Sequence, residues 1–117
     1  MIKFNEVDGF DWDNGNRYKN LLKHNVTTLE SEEVFFNRPI LLIEDKKHSS
    51  AKERRYLALG MTSENRKLSI SFTMRNRLIR VIPARDMDSR EKKRYETHEN
   101  KPKKNKPETK RDSRLQK

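Results

Sequence analysis

The spacing of apolar positions changes period near residue 40, and the change divides the chain into a helical part and an extended part. Before it, the stretch from Asn14 to His24 places Tyr18, Leu21 and Leu22 at i, i+3 and i+4, the apolar stripe of an amphipathic helix. Asn25 is suited to end that helix, because asparagine tolerates a left-handed backbone. A short extended piece at Phe10 to Trp12 precedes it. A second helix opens at Thr27-Thr28-Leu29-Glu30, where the Thr27 hydroxyl can cap and Glu30 can reach back, and it should run to about Phe36 before Pro39 stops it. Beyond it, Ile40 to Ile43 is a short apolar strand and Tyr56 to Met61 a second. Leu68, Ile70, Phe72 and Met74 alternate with Ser69, Ser71, Thr73 and Arg75 in a third, and Leu78 to Ala84 makes a fourth. The links at Ser63 to Asn65 and Asn76-Arg77 are short, which favours antiparallel hairpins. Asp88, with Glu91 three residues on, caps a final helix through Tyr95.

This order predicts an α+β fold of two layers, with two N-terminal helices packed on a four-stranded antiparallel sheet and a short C-terminal helix. One face of such a sheet is left partly open. The polar side of the third strand, with Ser69, Ser71, Thr73 and Arg75, is the expected place for a site.

Composition narrows the picture. A chain of 117 residues with 31% apolar and 39% charged side chains has room for one modest core. It has no cysteine, so neither a disulfide nor a thiolate metal site is available. No apolar run approaches the length of a membrane span, and the first residues lack a signal-peptide pattern, so a cytoplasmic protein is expected. The net charge of +10 is unevenly spread: residues 1–50 carry −2, residues 51–96 carry +7 and residues 97–117 carry +5. A basic second half suits a phosphate-rich partner, although an acidic protein would use the same field. From about His98 the chain is rich in Lys and Pro with Leu115 its one apolar residue, which predicts a domain over 1–97 and a disordered basic tail over 98–117.

Were the phosphate-rich partner an RNA cut by its own 2′-hydroxyl, the reaction would need a base near neutral pKa, a cation on the phosphate and an acid for the leaving oxygen, and would require no metal or cofactor. Arg75, Arg80 and Arg85 fall on or just beyond neighbouring strands, and a guanidinium grips phosphate with two donors. Surface arginines more often stay solvated or pair with carboxylates, and three within a short stretch weaken that reading without removing it. Lys23 and His24 end the first helix, where its dipole alone would favour cations. His24 and His48 are candidate proton carriers, although a lone histidine is more often structural. Glu53 is the best-placed carboxylate for a base, but Arg54 and Arg55 beside it would weaken it, and it can equally orient Arg55. Asp8, Asp11 and Asp13 lack the glycine position of a calcium loop, and the histidines at 24, 48 and 98 lack metal-ligand spacing.

Several landmarks follow one another in a recognisable order: Phe10-Asp11-Trp12-Asp13, Asn20, Lys23-His24, Val26, Asp45 with His48, Glu53 and Arg55 running into Gly60, Thr73 and Arg75, Ile79-Arg80-Val81-Ile82 ending in Ala84-Arg85, and Glu91 with Tyr95-Glu96. Over about Phe10 to Glu96 the sequence resembles the BrnT toxins. The resemblance implies a RelE-like fold, RNA cleavage that inhibits translation, and neutralisation by a BrnA-type antitoxin with a ribbon-helix-helix domain. It also implies a heterotetramer that reaches operator DNA only through the antitoxin. The chain departs from the family pattern where Asn25 stands for glycine, where Pro83 stands for serine, and where Asn16 stands for a lysine, with Lys19 three residues later. Pro83 lacks a backbone donor, which suggests an edge or a bulge. Two other functions fit the same residues: a non-catalytic module that binds RNA or an acidic protein, and an inactive toxin fold retained in a repressor complex.

Overall fold

Each helix starts where a side chain can replace a missing backbone partner. A computed structural model describes residues 6–100. In it α1 spans Asn14–His24 behind the N-cap Asp13, α2 spans Thr28–Phe36 behind Thr27, and α3 spans Ser89–Asn100. Thr27 and Glu30 form the expected capping box, and Asp88 and Glu91 exchange the same pair of bonds at 2.8 and 3.0 Å. Asn25 closes α1 in the left-handed region, at φ 55°. The expected basic tail lies outside the described residues from position 101 onward.

The strands are β1 (Gly9–Phe10), β2 (Leu41–Asp45), β3 (Arg55–Met61), β4 (Lys67–Arg75) and β5 (Leu78–Asp86). They form one sheet in the order β1-β5-β4-β3-β2. The sheet therefore has five strands and is mixed, not four and antiparallel as the pattern predicts. Strands β2 to β5 are antiparallel neighbours, while β1 runs parallel to β5, with Gly9 opposite Leu78 and Phe10 opposite Ile79. The extended piece expected at Phe10 to Trp12 overlaps it at Phe10, but two residues are too few to show an alternation and their partner lies far along the chain, so no local pattern announces the pairing.

One face of the sheet buries Ala58, Leu68, Ile70, Phe72, Ile79 and Val81 against Val26, Val34 and Phe35. Phe35 meets Phe72 edge-on at 5.1 Å. Gly60 allows α2 its close approach, since a Cβ there would stand 2.8 Å from Val34 Cγ1. On the other face α3 packs Tyr95 with Leu59 and Met87, and the Tyr95 hydroxyl donates to the Pro39 carbonyl at 2.7 Å. No helix among the described residues is long and apolar enough to cross a membrane.

The burial of two faces adds what the pattern does not say. Helix α1 turns its apolar stripe outward: Leu22 is 85% exposed, Tyr18 49% and Leu21 39%, whereas Asn16 and Asn20 are buried. The polar side of β4 is open only in part, since Ser69 and Thr73 are buried while Ser71 is half-buried and Arg75 exposed. Ser69 donates to Glu91 of α3 at 3.0 Å, and Thr73 donates to the Arg54 carbonyl at 2.7 Å. Alternation assigns residues to a face of a strand but does not say what covers that face.

Candidate functional site

The site begins at the unpaired edge of β5. β1 covers that edge only at Leu78 and Ile79. From there α1 takes over through its two buried asparagines. Asn16 Nδ2 donates to the Val81 and Asp11 carbonyls at 2.9 and 3.0 Å, and Asn20 Nδ2 donates to Ile82 O at 3.0 Å. Asn20 Oδ1 accepts from the Ala84 amide at 3.0 Å. A primary amide presents the donor and acceptor that a strand edge needs, so these side chains stand in for a neighbouring strand. Pro83 falls here, at an edge and within a register shift between β4 and β5, where its missing N–H costs nothing.

Between α1 and this edge lies a cavity of about 420 Å³. Lys19, Lys23, His24 and Arg80 line it, with Asn16 and Asn20. Asn16, Lys19, Asn20 and Lys23 recur at i, i+3, i+4 and i+7, so one flank of α1 supplies both the edge bonds and two of the cations. The C-terminal end of α1 is fixed by Arg66, which donates to the His24 and Asn25 carbonyls at 3.3 and 2.8 Å and pairs with Asp86 and Glu30. The Asp86 carboxylate, followed by Glu30 against the opposing effect of burial, pushes the Arg66 pKa up.

Arg80 is only 17% exposed and reaches Asp13 Oδ2 at 2.9 Å and Asp11 Oδ1 at 3.5 Å. The Asn16 amide, and then the Arg80 guanidinium, hold the Asp13 carboxyl below its usual range. Asp13 thus anchors both the start of α1 and Arg80, which fixes the guanidinium at one wall of the cavity.

Arg80 also belongs to a row across the sheet. Asp45 is paired with Arg55, Arg55 with Thr73 and Thr73 with Arg80, and directly opposed residues share a face. The backbones of Arg55 and Arg80 are therefore two strand spacings apart, about 10 Å. At the Arg55 end, Glu53 bonds Arg55 Nε at 3.3 Å and Arg75 Nη2 at 3.1 Å, and Asp45 Oδ2 meets His48 Nδ1 at 2.8 Å. Arg75 first, with Arg55 adding to it against partial burial, holds the Glu53 carboxyl below its ordinary range.

The seven residues singled out from the sequence therefore fall into three places. Lys23, His24 and Arg80 meet at the cavity. Glu53, Arg55 and Arg75 form an ion network at the far end of the row. Arg85 is gripped by both oxygens of Glu91 at 2.8 and 3.0 Å, beneath α3. The sequence reading passed over Asn16 and Asn20 as edge partners, Lys19 as a cavity cation and Arg66 as the clamp. The Asn-Lys repeat opposite the apolar stripe was the signal for the first three. Arg66 gave none, because its partners are 20 to 42 residues away.

The cavity at the sheet edge of this small α+β domain is lined by two ammonium groups, an imidazole and a guanidinium, a setting that favours an anion. The family model for the ribonuclease toxin BrnT of type II toxin–antitoxin systems matches residues 12–91, a span containing every cavity residue named above. The chain belongs to the BrnT toxin family, whose place in type II systems implies an antitoxin partner. No curated protein matches the chain.

Proposed function

We infer that this chain is an endoribonuclease that cleaves RNA without a metal and so inhibits translation. The observation that carries the reading is the meeting of Lys19, Lys23, His24 and Arg80 around one cavity. A phosphate in that cavity faces two ammonium groups and a guanidinium whose position Asp13 fixes. As the 2′-hydroxyl attacks the neighbouring phosphorus and the 5′-oxygen leaves, charge grows on the non-bridging oxygens, and preplaced cations stabilise it more than they stabilise the ground state. His24 is the group in the cavity suited to move a proton. Glu53, kept ionised by Arg75 and Arg55, is a weak base. In this reading it positions those two arginines for the next phosphates of the strand, and Arg85 holds α3 on the sheet. The toxin acts in the cytoplasm and is neutralised by a BrnA-type ribbon-helix-helix antitoxin, in a heterotetramer that reaches operator DNA through the antitoxin.

The test is incubation of the purified protein with single-stranded RNA in the presence of a chelator. Fragments are expected, and intact RNA at large protein excess contradicts the reading. Arg80→Lys keeps the charge but loses the forked donors, and should slow cleavage by about 100-fold, the scale for loss of one charge-stabilising group. A loss of thermal stability as large as the loss of activity would make Arg80 a structural residue instead.

A further inference from the structure

The outward face of α1 is built like the inside of a protein. Tyr18 and Leu22 form its crest, with Leu21 beside them, and all three are exposed. Leu29, in the first turn of α2, is 64% exposed as well. Single exposed apolar residues are ordinary, but an amphipathic helix that presents its apolar stripe to solvent while burying two asparagines is ordered for a second contact. The charges around the crest indicate what makes it. At 100° per residue, Lys19 and Lys23 lie on the flank between the Tyr18-Leu22 crest and the buried asparagines, and Arg17 lies on the opposite flank. All three are exposed, and no carboxylate lies within α1. An apolar crest between cationic flanks complements an amphipathic helix with an apolar stripe between acidic residues.

We propose that the outer face of α1 docks an acidic amphipathic helix of the antitoxin, and that this helix neutralises the toxin by taking Lys19 and Lys23 from the RNA. The proposal rests on the reading of the chain as a toxin with a protein antitoxin. Lys19 and Lys23 join its two halves, because they border the crest and also line the cavity. A carboxylate of the docked helix that pairs with either lysine lowers the positive potential at the cavity, where an incoming phosphate needs it. Antitoxin and RNA then compete for the same cations from opposite sides of one helix.

The experiment compares the wild type with the double variant Tyr18→Gln, Leu22→Gln, using as probe the protein encoded by the short reading frame adjoining this one. Glutamine is a good helix former, and both positions are exposed, so the variant keeps the fold and its RNA cleavage. The variant is expected to bind the probe at least 30-fold more weakly, roughly the loss of one interface anchor. It should go on cutting RNA at probe concentrations that silence the wild type. Equal binding by both proteins overturns the proposal and leaves the ribonuclease reading intact. Binding of the probe by both, with a free wild-type dimer that the variant converts to monomer, assigns the face to a second copy of the chain and also overturns it. RNA left intact by the wild type, with the probe still lost by the variant, sinks the ribonuclease reading but retains the docking face. A wild type that does not bind the probe removes both the antitoxin and the docking claim.

Discussion

Asn16 and Asn20 show how far a residue's role can depart from its usual placement. Asparagine is usually found at caps and turns, yet here two of them sit buried in a helix because a strand edge runs beside it. Truncating Asn20 leaves the Ile82 carbonyl and the Ala84 amide without their partner. Asn20→Ala should therefore lower stability by about 2 to 4 kcal/mol in denaturant unfolding, since each buried polar group left unpaired costs about 1 to 3 kcal/mol. A loss below about 0.5 kcal/mol, the scale of an ordinary surface change, would mean that water replaces the amide without penalty. At this scale the types of several site residues were legible and their company was not. Arg80 and Arg85 share one chemistry and both meet carboxylates, Asp13 and Asp11 for the first and Glu91 for the second, but only Arg80 lines the cavity. Which arginine borders the cavity depends on the register of β4 and β5 and on the positions of α1 and α3.

At the level of elements, most of the fold could be read from local rules. The end of α1 and the start of α2 follow from Asn25 and Thr27, and the four longer strands from apolar runs, the alternation in β4 and the short links on either side of it. What escaped was the part set by distant contacts: the pairing of β1 with β5, the direction in which α1 faces, and the cover over Ser69. Periodicity locates a stripe, but whether the stripe meets core or solvent depends on what else competes for the core, and here α2 and Val26 fill it. The approach of α2 to β3 supplies a prediction. A methyl group at position 60 would collide with Val34, so Gly60→Ala should destabilise the fold by about 1 to 3 kcal/mol, the usual cost of overpacking. An unchanged denaturation midpoint would show that α2 can shift freely. Removing the Thr27 cap with Thr27→Ala should cost about 1 kcal/mol, measurable in the same way, and an unchanged stability would show that the Glu30 contacts alone hold the end of α2.

For the whole molecule, charge ties stability to function. The carboxyls of Asp13, Glu53 and Asp86 are held low by their partners, led by the Asn16 amide, Arg75 and Arg66 respectively. A carboxylate with a lowered folded pKa contributes its full stability above the ordinary value of about 4, and loses it as pH falls through the folded value. The melting temperature should therefore stay nearly level from about pH 8 to pH 5 and drop below about pH 4, as protonation frees arginines to repel one another. A melting temperature that rises on acidification from about pH 5 to pH 3 would contradict these pairings. In the proposed function the cavity cations assist attack by the RNA's own 2′-hydroxyl, and the end left on the cleaved RNA reports this directly. Mass analysis of fragments made in chelator should find a 2′,3′-cyclic phosphate, with Lys23→Gln and Arg80→Lys each reducing its yield. Fragments ending in a free 3′-hydroxyl, or a cyclic phosphate formed as fast by both variants as by the wild type, would contradict the account.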